Sequence, residues 1–367
     1  MEYHLKCYNC GSVFGADAAF ARCTRCSSIL EVRYDYATLG LPEGFKSQKP
    51  RRGKYLPFYP VKKLVSLGEG ESGLVKAGYI GIPADEVNLL LKVETGNPTG
   101  SFKDRGSSVE IAKAKELGFG EVCCASTGNM GLSIATYADY AGMKCTVFIS
   151  RNASKEKMQR IREAGARVVL VNGDFNKSIE TAERFATKSG LFLCGDYHYR
   201  KEGQKSVGFE ILDQSKRVLD YVFVPVGNGT LLAAMYKSFL EYRRIGILRK
   251  MPKLIAVQSM QCDPFVRAFK EDREIRHVKP RTKADAIAVG FPTFGFEALA
   301  AVRKTGGDAV AVHDNAILWV SQKLKKHMGV GSELGGAAAL AGFFEMRGDD
   351  MRRFEGKTVV AVITGNN

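Results

Sequence analysis

No run of about 18 consecutive apolar residues occurs anywhere in the 367-residue chain, so a membrane-spanning helix is not expected. The opening residues Met1-Glu2-Tyr3-His4-Leu5-Lys6 lack the apolar h-region of a secretory signal, and a cytoplasmic location is the default. There is no internal repeat and no low-complexity tract. Acidic residues are scarce relative to basic ones, 39 Asp and Glu against 54 Lys and Arg, giving a formal charge of +15. That imbalance would suit nucleic acid if it were concentrated. It is spread instead, usually beside Glu or Asp, as in Lys113-Ala114-Lys115-Glu116, and is densest between Lys46 and Lys54 in a Pro/Gly-rich stretch with the composition of a linker. Solvated surface charge explains it, no nucleic-acid partner is expected, and a positive field suits a small anionic substrate. The remaining composition, 45% apolar and 25% charged, is that of a globular protein long enough for one large domain or two to three smaller ones.

Nine cysteines divide into two groups. Cys7, Cys10, Cys23 and Cys26 form C-x2-C-x12-C-x2-C, whose two knuckles can set four thiolates tetrahedrally around zinc, with Gly11 allowing the tight turn. In a reducing compartment metal is favoured over disulfides. Four sulfurs leave no open coordination position, so the expected zinc is structural. Cys123, Cys124, Cys145, Cys194 and Cys262 fall mostly in apolar runs and read as buried thiols.

From about residue 88 strands and helices alternate. Strands are expected over 88–94, 121–126, 144–150, 166–171, 191–194, 221–226, 254–259 and 358–364. Helices are expected over 104–117, 130–141, 154–164, 175–188, 231–244 and 335–346. Continuous Val/Ile/Leu strands between helices imply an α/β fold of parallel sheets covered on both faces. In such folds ligands gather where strand ends turn into helices, and three loops there carry unusual residues.

The first is the segment from Thr95 to Gly106, T-G-N-P-T-G-S-F-K-D-R-G. Lys103 falls at a helix start, where the macrodipole disfavours an ammonium and favours the neutral amine that Schiff-base chemistry requires. The second, Ser126-Thr127-Gly128-Asn129, can hold a carboxylate at a helix N-terminus or simply cap the helix. The third, Gly227-Asn228-Gly229-Thr230, lets the backbone wrap an anion. No Walker lysine follows it and the spacing is not G-x-G-x-x-G, so a small phosphate-bearing cofactor fits better than a nucleotide.

Taken together these loops resemble the fold type II pyridoxal-phosphate enzymes, and among them the threonine-synthase group. The resemblance covers nearly the whole chain: the N-terminal knuckles, Ser66-Leu67-Gly68-Glu69-Gly70, the segment around Lys103, Ala125 to Asn129, Glu202-Gly203-Gln204-Lys205, the Gly227 loop and Thr364-Gly365. It implies a zinc-ribbon-like segment at 1–36, a large cofactor-binding domain of 37–104 and 196–367, and a small substrate-side domain of 105–195. It implies that Lys103 carries pyridoxal 5'-phosphate and moves protons, and that Asn129 bonds the cofactor's phenolic oxygen. Gly227, Asn228, Gly229, Thr230 and Leu231 would bind its phosphate. Thr364 would meet the pyridine nitrogen, where a hydroxyl does not enforce a protonated ring. Ser126 and Thr127 would hold the substrate carboxylate, with Arg200 on the substrate side as a grip for phosphate. The implied reaction converts O-phosphohomoserine and water to threonine and phosphate, and a homodimer is compatible with it.

Some positions depart from that pattern. Met130 stands where a threonine follows S-T-G-N, Ser72-Gly73-Leu74 replaces Thr-Pro-Leu, and Cys194-Gly195 replaces an Asn-Ser pair that touches the substrate. The sequence ends at Asn367, where the family continues past T-G-H-G. These departures leave room for a cysteate-synthase-like β-replacement enzyme or a serine/threonine ammonia-lyase, and more remotely for a non-catalytic zinc-ribbon binding protein.

Overall fold

The Val/Ile/Leu runs become parallel strands in the computed structural model, which describes all residues except 52, 79–85, 127, 152, 174 and 367. The chain divides into two units, Met1–Glu69 with Lys103–Gln204, and Gly70–Phe102 with Lys205–Asn367.

In the first unit a parallel sheet runs in the order Arg167–Val171, Lys144–Ser150, Glu121–Ala125, Phe192–Leu193. Helices Lys103–Glu116, Asn129–Tyr140, Lys155–Glu163, Phe175–Ser189 and His198–Gln204 accompany it. The N-terminal knuckles sit on an antiparallel sheet in which Tyr3–Cys7 pairs Val13–Phe14 on one side and Leu30–Tyr34 on the other, Cys7 opposite Leu30. Alternation turns Leu5, Leu30 and Val32 inward, into the same apolar cluster as Ile111, Val122 and Val147. Polar ties reinforce this: the Tyr34 hydroxyl donates to Glu202 at 2.8 Å, and Arg22 pairs with Glu183 at 2.6 Å.

The second unit is built on a sheet in the order Asp308–Val312, Lys253–Ser259, Tyr221–Pro225, Thr358–Ile363, Asn88–Val93, Gly73–Lys76, parallel except for the last strand. Its central strands Tyr221–Pro225 and Thr358–Ile363 read as unbroken apolar runs because both faces are covered. Phe223, Ile255, Val257, Val359 and Ala361 point into one core, beneath helices Asp314–Met328 and Leu334–Asp349. Their neighbours Val222, Val224, Leu254, Ala256 and Val360 point into another, beneath Thr230–Arg244 and Gly295–Lys304. Each large aliphatic side chain so buried contributes about 1.5–3 kcal/mol relative to exposure. Among the described residues no helix is long and apolar enough to cross a membrane.

The sheet orders decide what can meet within each unit. In the second, the strands ending at Pro225, Ile363 and Val93 are neighbours, so the Gly227 loop, Thr364 and the start of the Thr95–Gly106 segment emerge from one edge. In the first, Glu121–Ala125 lies beside Phe192–Leu193, so the Ser126 and Cys194 loops emerge together.

Candidate active site

In the second unit the Gly227 loop is pressed against the segment that leads into helix Gly295–Lys304. Phe294 N donates to Asn228 O at 2.9 Å. A Cβ on Gly229, whose φ is +85°, would stand 3.1 Å from Ala298 Cβ, and one on Gly227 would stand 3.2 Å from Ala286 O. Larger side chains are thereby excluded, and main-chain N–H groups form the loop's surface. Gly229 precedes the 15-residue helix Thr230–Arg244, whose first amides it has no side chain to cap. Backbone donors and a helix dipole make this an anion cradle.

Beside it, Thr364 is buried, and its carbonyl accepts from Phe102 N at 3.0 Å. Ser101 bridges Gly365, and Asn366 N donates to Gly100 O at 3.1 Å. The Ser101 hydroxyl is fully buried and meets no hydrogen-bonding atom among the described residues, which is a donor suited to a bound polar group. Together the cradle and this hydroxyl fit a small phosphate-bearing cofactor.

The path into this segment is fixed by a buried polar network. Asn97 Nδ2 donates to Glu94 O and Oε2, each at 2.8 Å, while its Oδ1 accepts from Gly70 N at 2.9 Å. The fully buried Lys92 pairs with Glu210 at 2.7 Å and donates to Ser72 O at 2.8 Å. The Ser72 hydroxyl donates to Glu94 at 2.5 Å, so the Ser-Gly departure is built into the network.

In the first unit Lys103 opens helix Lys103–Glu116, as the sequence pattern implied within one residue. Its Nζ lies 3.8 Å from Asp196 Oδ1. Arg200, expected on the substrate side, is fully enclosed. Its Nε donates to Gly195 O, Nη1 to Lys103 O and Nη2 to Ser107 Oγ, each at 3.1 Å, and its guanidinium also pairs with Glu110. A guanidinium has five N–H donors in a rigid fork; with four contacts made to protein and no exposed surface, this one clamps the lysine helix and is not set out to grip a phosphate. The expected substrate contact is therefore reassigned to an internal one. Gly106 makes room for it, since a Cβ there would stand 2.7 Å from Arg200 Cγ. Glu110 also accepts from Gly195 N at 2.9 Å. Burial pushes its carboxyl up to about 7, against the opposing pull of Arg200.

Ser126 is buried, and its Oγ accepts from Gly131 N at 2.8 Å and Gly128 N at 3.3 Å. It thus caps helix Asn129–Tyr140, which Asn129 opens. Thr127 lies outside the described residues. Two of the sequence departures prove to be neighbours, because a Cβ on Gly195 would stand 4.0 Å from Met130 Cε. A longer side chain at one position faces a missing one at the other. Two residues escaped the sequence reading. Asp196 lacks any motif context, and Lys157 comes near the Ser126 loop only through folding, its Nζ 3.9 Å from where a Gly128 Cβ would stand.

The knuckle cysteines come together. The four Sγ atoms lie within 4.8 Å of one another, with Cys7 and Cys26 3.4 Å apart and Cys10 and Cys23 3.6 Å apart. Zinc–sulfur bonds of about 2.3 Å in a tetrahedron give sulfur separations of about 3.8 Å, so the donor set fits zinc.

Residues 65–365 match the family described as pyridoxal-phosphate dependent enzyme. The chain is 35% identical to a threonine synthase of Methanosarcina acetivorans over 99% of its own length and 91% of that protein. It is also 35% identical to one of Methanocaldococcus jannaschii, over 92% and 86% respectively. Among solved structures, maize serine racemase superposes with a TM-score of 0.71 at 21% identity, covering 81% of this chain and 88% of that one. The processed form of threonine deaminase isoform 2 from Solanum lycopersicum gives 0.70 at 24%, covering 81% and 80%. At these identities the structural likeness establishes the fold.

Proposed function

The chain belongs to the pyridoxal-phosphate dependent enzyme family, and on that premise we propose that it acts as a threonine synthase, converting O-phosphohomoserine and water to threonine and phosphate. The observation that carries this reading is 35% identity to a threonine synthase across 99% of the chain. Bound pyridoxal phosphate supplies an electron sink for negative charge developing on the substrate. Lys103 would carry it and would take the proton from the substrate Cα. The amides of Gly227, Asn228, Gly229, Thr230 and Leu231 would hold its phosphate, Asn129 would bond its phenolic oxygen and Thr364 would meet its ring nitrogen. A threonine hydroxyl there would not enforce a protonated ring, which would limit charge withdrawal and favour elimination and replacement.

Ser126 and Thr127 hold the substrate carboxylate at the start of helix Asn129–Tyr140. Lys157, whose Nζ lies 3.9 Å from where a Gly128 Cβ would stand, adds a positive charge near the Ser126 loop that would attract an anionic substrate. Loss of Lys157 raises KM for an anionic substrate more than it lowers kcat, since a point charge at the rim binds ground and transition states alike.

The enclosed Arg200 and the Met130–Gly195 pair favour a second reading, in which the substrate bears no phosphate and the reaction is that of a serine/threonine ammonia-lyase. Assays with O-phosphohomoserine, with O-phosphoserine plus sulfite, and with free threonine or serine separate the readings. Phosphate and threonine from the first substrate support the proposal, and cysteate from the second marks a β-replacement enzyme. Oxo-acid from the free amino acids, with no phosphate from either ester, overturns both phosphate-dependent reactions.

A further inference from the structure

A carboxylate that no sequence motif marks stands beside the reactive amine. Asp196 Oδ1 stands 3.8 Å from Lys103 Nζ, and the two side chains are 9% and 20% exposed, respectively. A carboxylate so near and so little solvated interacts strongly with an ammonium and weakly with a neutral amine. Its location is tightly determined. The preceding residue, Gly195, is held at both main-chain atoms, its N–H by Glu110 at 2.9 Å and its carbonyl by Arg200 Nε at 3.1 Å. The carbonyl also accepts from Tyr197 N at 2.7 Å, closing the turn on the other side of Asp196. Arg200 simultaneously holds the Lys103 carbonyl, so one guanidinium fixes the backbone at both ends of the amine–carboxylate pair. Gly195 has φ +148°, and a Cβ there would stand 3.1 Å from Tyr197 Cε2, so the turn favours glycine.

We propose that Asp196 is the charge partner of Lys103, stabilising its ammonium after it has taken a proton and returning the amine ready for the next transfer. The proton moves from the substrate Cα to the Lys103 nitrogen, and the Asp196 carboxylate, 3.8 Å away, faces the positive charge that forms there. The proposal rests on Lys103 being the cofactor lysine, but not on the identity of the substrate. Other charged groups on the two crossing helices, including Asp104, Arg105, Glu110 and Arg200, are unchanged by substitution at 196.

The test uses the cofactor-free protein, so that it does not depend on turnover. Acetylation of Lys103 by acetic anhydride is followed peptide by peptide by mass spectrometry at pH 8, in wild type, Asp196→Asn, Asp196→Ser and Asp196→Glu. Removing the carboxylate should free the amine and raise Lys103 labelling up to about tenfold, the ratio for one unit of stabilisation. Asp196→Glu should return it toward wild type, and labelling of remote lysines should not change. In the loaded enzyme Asp196→Asn should lower kcat with KM within about threefold. Equal labelling in wild type and both neutral variants overturns the proposal, as does a rise that Asp196→Glu fails to reverse. Failure of borohydride to fix the cofactor on Lys103 would instead overturn the assignment of the lysine, whatever the labelling result.

Discussion

Removing either member of the Glu110–Arg200 pair should not cost the same. Both side chains are essentially without solvent exposure. Glu110→Ala leaves a guanidinium that cannot give up its proton in a buried site, and breaking a buried pair in this way costs about 3–5 kcal/mol. Arg200→Met leaves a carboxyl that is already pushed up to about 7 by burial while Arg200 opposes the shift. Without that opposition it takes a proton and becomes neutral at pH 7. The cost is then mainly the lost bonds to Lys103 O, Gly195 O and Ser107 Oγ, about 1–3 kcal/mol. Combining Glu110→Ala with Arg200→Met removes the charge conflict, and the double variant should be more stable than additivity allows by about 2 kcal/mol. Urea unfolding at pH 7, followed by circular dichroism, gives the four values, provided the slope m stays constant. If Glu110→Ala is no worse than Arg200→Met, or if the double variant is additive, the two groups are not an enclosed, coupled pair and the clamp on Gly195 loses its basis.

The same carboxyl sets a pH dependence. Its native value of about 7 lies above the ordinary 4.5, so the folded state binds more protons between these limits. Stability contributed by Glu110 is present below about 4.5 and is lost as pH rises through 7, by about 3 kcal/mol relative to Glu110→Gln; pH-dependent urea midpoints that run parallel in the two proteins contradict this. Gly106→Ala would ordinarily gain about 1 kcal/mol inside a helix, but the added methyl meets Arg200 at 2.7 Å. A loss of about 1–3 kcal/mol in the same urea assay is expected instead, whereas a gain would mean that Arg200 can move aside. Elemental analysis should find about one zinc per chain, lost in the Cys7→Ser/Cys23→Ser variant; metal-free wild type purified under reducing conditions would refute the site.

Strands buried on both faces were legible because their apolar runs are continuous: Lys144–Ser150 falls where the sequence reading sets it. Helix starts moved by one residue, as at Thr230 and Asn129, because a glycine before the first turn blurs where helical geometry begins. Other elements carried weaker signals. Gly73–Lys76 is a largely exposed edge strand with little apolar patterning, and Asp308–Val312 is a short Ala/Val strand. The chemistry-bearing loops were visible as motifs, since glycine, proline and a helix-start lysine are local signals. What stayed hidden was long-range pairing. Lys92 and Lys205 look like surface cations until folding supplies Glu210 and Glu241. Arg200 looked like a phosphate ligand because its partner Glu110 sits on another helix, about two turns beyond the lysine. Asp196 faces Lys103 only because the loop before helix His198–Gln204 is carried to the start of helix Lys103–Glu116 by the packing of those two helices.

The central claim is that this chain is a pyridoxal-phosphate enzyme whose cofactor is carried by Lys103. Borohydride reduction of the purified protein incubated with pyridoxal phosphate, followed by peptide mass spectrometry, tests it most directly. The account predicts a single phosphopyridoxyl adduct on the peptide containing Lys103, absent in Lys103→Ala. An unmodified Lys103, or an adduct confined to another lysine, would contradict it.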